Sequence, residues 1–124
     1  MKTPEDVIHQ QLDAYNSKDI EGFMACWHPE AKLYEFPDKP MASGHAEIRA
    51  RHVLRFTEPN LFGKLLSRTS VGNVVVDREV VTRMFDGREG RVDVIAIYEV
   101  EGGLITSARF KTGTPVYGNF ACTS

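Results

Sequence analysis

Thiols are scarce in this 124-residue chain, with Cys26 and Cys122 the only cysteines. Two are too few for a disulfide framework and fit reduced thiols. Long apolar runs are missing as well: stretches such as Val94-Ile95-Ala96-Ile97-Tyr98 are far shorter than a bilayer-spanning helix needs. The opening Met1-Lys2-Thr3-Pro4-Glu5-Asp6 has no apolar signal core, so a cytoplasmic location is expected. Neither sign of charge is in excess. With 15 Lys and Arg against 17 Asp and Glu, the formal net charge is -2, and no global field draws nucleic acid or an anionic membrane. There is no glycine-rich phosphate loop, no dinucleotide fingerprint and no repeat, so no nucleotide cofactor is expected. What is present is ordinary globular composition, 42% apolar and 26% charged. The length suits one domain that hides about two-thirds of its unfolded surface.

Thr3-Pro4-Glu5-Asp6 starts a helix: Thr3 caps, Pro4 sits where its missing N–H is harmless, and the acids meet the positive dipole end. Ile8, Leu12 and Tyr15 give that helix one apolar face, and Asn16-Ser17-Lys18 breaks it. Ile20, Phe23, Met24 and Trp27 repeat the pattern in a second, shorter helix that Pro29 stops. Ala31 to Phe36 reads as a short strand closed by a turn with Pro37, Asp38 and Pro40. A third helix is predicted from about His45 to Phe56, with Ile48, His52, Phe56, Val53 and Ala46 inside one arc of about 160° and Arg51 and Arg55 to one side.

The rest reads as strands at Leu65–Val71, Val74–Phe85, Arg91–Val100 and Leu104–Thr112, joined by glycine-bearing hairpin connections. Helices first and hairpins afterwards predict an α+β fold, a curved antiparallel sheet wrapped by three N-terminal helices. Residues 1–112 make the domain and Gly113–Ser124 an irregular tail. Both alternating residue sets of Val92–Tyr98 are largely apolar, so the outer sheet face needs cover too, and a homodimer through the sheet is predicted.

Three segments carry a family resemblance. They are Tyr15-Asn16-Ser17-Lys18-Asp19-Ile20-Glu21-Gly22-Phe23, Trp27-His28-Pro29-Glu30-Ala31 and Ser43-Gly44-His45-Ala46-Glu47-Ile48-Arg49, followed by the hairpin Glu101-Gly102-Gly103-Leu104-Ile105. Together they resemble the nuclear transport factor 2-like superfamily, the cone-shaped fold of ketosteroid isomerases and SnoaL-like polyketide cyclases, over about residues 3 to 112. Laid on the isomerase pattern, the resemblance implies a general base at Glu35 and an aromatic pocket residue at Trp27. The oxyanion-hole tyrosine and acid fall on Gln11 and Ala96, and a supporting tyrosine on His52. Glu79 and Arg83 fall on pocket positions that are apolar in the isomerase. The base position is filled and the electrophilic half is not, which moves the expected substrate away from neutral steroids.

The residues themselves leave alternatives. Glu35, between Tyr34 and Phe36, is either a carboxylate raised in pKa among aromatics or a solvent-facing strand end. His52 is a backbone-bonded core histidine or a proton carrier paired with Glu35. Asp77, Glu79 and Arg83 share one strand face with Val81. They form a solvated ladder, or else an inward set in which Glu79 and Arg83 pair and Arg83 favours a ligand with a carboxylate or polarised oxygen. His28, His45, His52 and Glu35 lack H-x-x-x-H or H-E-x-x-H spacing, so no metal is expected. Cys26 reads as a small buried thiol, and Arg49, Arg51, Arg55, Lys64 and Arg68 as a solvated basic face.

Two functions follow. One is a cofactor-independent isomerase or cyclase that moves a proton on a small, mostly apolar carbonyl compound, with Glu35 and His52 catalytic and Gln11, Trp27, Tyr34, Phe56, Glu79, Val81, Arg83, Ala96 and Tyr98 around the substrate. The other is a ligand-binding or dimeric association domain of the same fold without turnover, which the residues at Gln11 and Ala96 favour.

Overall fold

The computed structural model describes residues 2–118. Helix α1, Pro4–Ser17, opens on the expected cap: Thr3 Oγ1 accepts the Asp6 N–H while Asp6 returns the bond to the Thr3 N–H. Val7, Ile8, Leu12 and Ala14 turn inward with Gln11. The helix ends at Lys18, in a left-handed conformation at φ 58°. Helix α2 is Ile20–Met24, capped by Asp19 on the Gly22 N–H, and helix α3 is His45–Arg55.

Seven strands form one sheet: β1 (Trp27–Glu35), β2 (Lys39–Ser43), β3 (Phe62–Val71), β4 (Val74–Phe85), β5 (Arg88–Glu101), β6 (Leu104–Thr112) and β7 (Val116–Tyr117). The spatial order is β2-β1-β6-β5-β4-β3, with β7 pairing the start of β5. All pairs are antiparallel except β1 with β6, which run parallel. The predicted α+β architecture is present, three helices packed on a curved, unclosed and mostly antiparallel sheet.

The sequence reading is corrected in four places. Strands β1 and β6 run parallel in a sheet expected to be antiparallel, and the start of the expected irregular tail holds β7. Trp27 does not extend the second helix but begins β1, where Trp27 pairs with Ile105. The turn around Pro37–Pro40 holds β2, and Pro40 is tolerated because β2 is an edge strand that needs no donor on its outer side. No described helix is long and apolar enough to cross a membrane.

The core lies between helices and sheet. Phe23, Ile8, Leu33, Ile48 and Ile105 are fully buried, and Phe23 packs on Trp27, His52 and Phe56 at ring centroids 5.7, 4.4 and 5.6 Å apart. Cys26 is buried as expected, its thiol reaching the Gly22 carbonyl and pushed up in pKa by burial. Cys122 and the end of the predicted tail lie outside the described residues. On the opposite sheet face Ile95 is 40% and Leu66 49% exposed, and Ile97 is half-buried.

Candidate functional site

Alternation along β4 and β5 sends Glu79, Val81 and Arg83 from one strand, and Val92, Val94 and Tyr98 from the other, into a cavity of about 280 Å³. Helix α1 adds Gln11 and Tyr15, and α3 adds Arg51, His52 and Arg55. The volume equals roughly nine water molecules, enough for a compound of about ten heavy atoms. Much of the wall is apolar, with Leu33, Phe85 and Phe110 joining the valines.

Glu79 is the cavity's buried carboxyl, 6% exposed and in no ion pair among the described residues. Burial raises its pKa to about 7, assisted by the negative charge of Asp77 and opposed by Arg68. Its carboxyl lies against Gly63, where a Cβ would come within 2.8 Å of Oε1, so the glycine makes room for the acid. Asn16 grips Gly63 by both backbone groups, its amide donating to the carbonyl at 2.9 Å and accepting the N–H at 2.8 Å.

Asp77, one pleat away and fully buried, is held by a two-pronged ion pair from Arg68 at 2.7 and 2.9 Å. The expected pairing of Glu79 with Arg83 is therefore wrong. Asp77 takes Arg68, while Arg83 reaches Glu58 Oε2 at 3.7 Å and lies over the Phe85 ring at 4.9 Å.

His52 is the backbone-bonded histidine of the first alternative, although its ring faces the cavity. Its ring lines the cavity, and Nδ1 donates to the Ile48 carbonyl at 2.8 Å, which leaves Nε2 as an acceptor. Desolvation lowers its pKa to about 4, with Arg55 and Arg51 also disfavouring a cation. The ring is therefore neutral near pH 7. Tyr98, 3% exposed, has its phenol raised well above the ordinary value by burial and by the acids Glu79 and Asp77, so its O–H stays protonated. Trp27 is 2% exposed and its Nε1–H is a buried donor with no acceptor among the described residues.

Of the residues named from sequence, Gln11, Trp27, His52, Glu79, Val81, Arg83 and Tyr98 converge on this cavity. Four do not. Glu35 ends β1 at the β1–β2 hairpin, beyond the helices' cover, with its side chain 61% exposed and 3.8 Å from Lys39 Nζ. Solvent hydrates that carboxylate, so the premise of an enclosed base at Glu35 is corrected. Tyr34 lies under the Arg109 guanidinium, 4.6 Å from ring to cation, away from the cavity. Phe56 packs on Tyr15 and Phe23 in the core, and Ala96 is buried opposite Asp77 without reaching the lining.

The basic face is also redrawn. Arg49 is a surface partner of Glu21, but Arg68 is consumed by Asp77, and Arg51 and Arg55 line the cavity. Helix α3 is thus rotated from the predicted arc: Ala46 and Val53 are exposed, Arg55 is half-buried and Arg51 lies at the exposed rim of the lining. The signal that finds them is the spacing Ile48, Arg51, His52, Arg55, an i, i+3, i+4, i+7 face that charge alone had argued away. Among the described residues, no group of three or more His, Cys, Asp or Glu is placed to hold a metal.

A family model described as the SnoaL-like domain matches residues 8–108. An uncharacterised cystatin-fold protein from Novosphingobium aromaticivorans superposes with a TM-score of 0.82 at 23% identity, covering 89% of this chain and 98% of its own. IdmH from Streptomyces antibioticus, whose assignment as a polyketide cyclase is provisional, gives 0.75 at 17% identity over 90% of this chain and 92% of its own. A hypothetical protein with a ketosteroid isomerase-like fold from Catenulispora acidiphila, solved with trimethylamine, gives 0.73 at 14% identity over 88% of this chain and 85% of its own. No curated protein matches the chain.

Proposed function

Because the chain belongs to the SnoaL-like domain family, we propose that it binds a small, largely apolar carbonyl compound in its cone and moves a proton on it without a cofactor. The carrying observation is Glu79, a carboxyl enclosed in an apolar cavity, free of any ion pair among the described residues and poised at a pKa of about 7. A base of that pKa removes a carbon-bound proton and can return it near neutral pH.

In the proposed step the Glu79 carboxylate takes a proton from the carbon beside the substrate carbonyl and becomes a carboxylic acid. The C–H electron pair moves onto the carbonyl oxygen as an enolate. The Tyr98 O–H and the unpartnered Trp27 Nε1–H are the neutral donors available to that oxygen. Returning the proton to a different carbon is isomerisation; attack of the enolate carbon on a second electrophile in the same ligand is cyclisation. Glu79 thus takes the role that the resemblance assigned to Glu35. The apolar wall of Val81, Val92 and Val94 keeps water from the enolate.

The test is proton NMR in D₂O with the wild-type protein and a panel of small open-chain and cyclic ketones, with and without carboxylates. Protein-dependent replacement of C–H by C–D in at least one compound is expected. Tight binding with no exchange in any of them supports the rival reading, ligand binding without turnover, which the glutamine at Gln11 favours.

The same reading includes a cytoplasmic homodimer that covers the outer face around Leu66, Ile95 and Ile97. Light scattering should give twice the 13.9 kDa chain mass, and Ile95→Lys should return it to the single-chain mass. A wild-type protein that stays at single-chain mass at high concentration contradicts the dimer.

A further inference from the structure

At the α3 end of the cavity two guanidinium groups meet one carboxylate, and a third lies at the rim. Glu58 shares its Oε2 between Arg55 Nε and Arg83 Nη2, each at 3.7 Å, while its Oε1 accepts the Met84 backbone N–H at 2.7 Å. Arg51 completes the lining at the exposed rim. Contacts of 3.7 Å are longer than hydrogen bonds; Arg55 also reaches the Tyr15 hydroxyl, while Arg83 keeps open donors. Arg55 and Arg83 side chains are only 19% and 28% exposed, and Arg83 Nε is buried with no partner among the described residues. Arg83 and Arg51 are both lowered in pKa, first by burial and then by Arg55. A half-buried cluster with more positive than negative charge is costly when unoccupied, and an anion seated there relieves both the repulsion and the unmet donors.

We propose that Arg51, Arg55 and Arg83 form an anion subsite that takes a carboxylate of the substrate, so that the ligand is a small oxo acid rather than a neutral ketone. The inference rests on the proposed proton transfer at Glu79 for the word substrate, but not for the binding of the anion. Arg83 and Glu79 stand four residues apart on one strand, about 13 Å between Cα atoms. Carboxylate and reacting carbon are accordingly separated by several bonds, bridged along Val81, Val92 and Val94 by a ring or short chain. A bidentate guanidinium–carboxylate pair fixes that axis and presents the far carbon to Glu79.

The test uses phenylacetate and its neutral isostere phenylacetamide, titrated into wild type, Arg83→Gln and Arg55→Gln and followed by amide chemical shifts. Wild type should bind the acid at least tenfold more tightly than the amide, with shifts at Val81, Val92 and Val94. Each variant should lose most of that preference while keeping its affinity for phenylacetamide, which also shows that its cavity is folded. Equal affinity for acid and amide in wild type overturns the subsite, as does a preference that survives in both variants. So does a preference abolished by equimolar inorganic phosphate that produces the same shifts, since the cluster would then be a free-phosphate site. Glu79→Gln separates the two proposals: acid preference should be retained while exchange is lost, and exchange that persists at the wild-type rate with acid preference intact removes the catalysis and leaves the subsite standing.

Discussion

Glu79→Gln should lower the rate of substrate C–H exchange by about 10²- to 10⁴-fold, the usual worth of a positioned general base. Glutamine keeps the shape beside Gly63 and removes only the titrating proton site. The active form is the carboxylate, so the wild-type exchange rate should rise with pH and level off above a pKa of about 7. The same substitution should change stability in the opposite sense. The folded-state pKa of about 7 lies above the ordinary 4.5, so between those values the folded chain holds a proton that the unfolded chain has released. Stability then falls as pH rises through that window, by about 3 kcal/mol in all at 1.36 kcal/mol per unit. Urea melts should show Glu79→Gln more stable than wild type at pH 8 and level with it near pH 4. A variant that loses activity and also stability at pH 8 points to a structural role instead.

Arg68→Ala should destabilise the fold by about 3–5 kcal/mol, the cost of leaving a buried charge uncompensated. Asp77 has no exposure at all, and both its oxygens are taken by Arg68. The double change Arg68→Met with Asp77→Leu removes both charges and should recover most of the loss, because well-packed apolar residues commonly match a buried ion pair. Arg68 also bears on the site. It opposes the rise of the Glu79 pKa, so the exchange profile of Arg68→Ala should move to higher pH. A midpoint unchanged in that variant assigns Arg68 to the scaffold alone.

The sequence was most legible where local chemistry decides. The Thr3 and Asp6 capping pair, the hairpin glycines and the limits of β4 and β6 all follow from residues within a few positions of one another. It was least legible where a long-range partner decides. Trp27 kept helical spacing from Phe23 and Met24, but its backbone pairs with Ile105, far along the chain. The parallel contact of β1 with β6 leaves no local trace. Strand spacing placed Glu79 and Arg83 on one face correctly. It could not show that Glu58 and Arg68, from outside that strand, take Arg83 and Asp77 and leave Glu79 alone. The resemblance carried the pocket to Gln11, Trp27 and His52, and failed at Glu35 because a strand end at a hairpin lies beyond the helices' cover.

The central claim is the protonation of one side chain. With carboxyl-¹³C glutamate incorporated, the Glu79 resonance is the one missing from Glu79→Gln, and its shift can be followed from pH 3 to 9 in the ligand-free protein. A midpoint near 7 is the result predicted for a base enclosed in the cone; a midpoint near 4.5, the value of a hydrated glutamate, contradicts it.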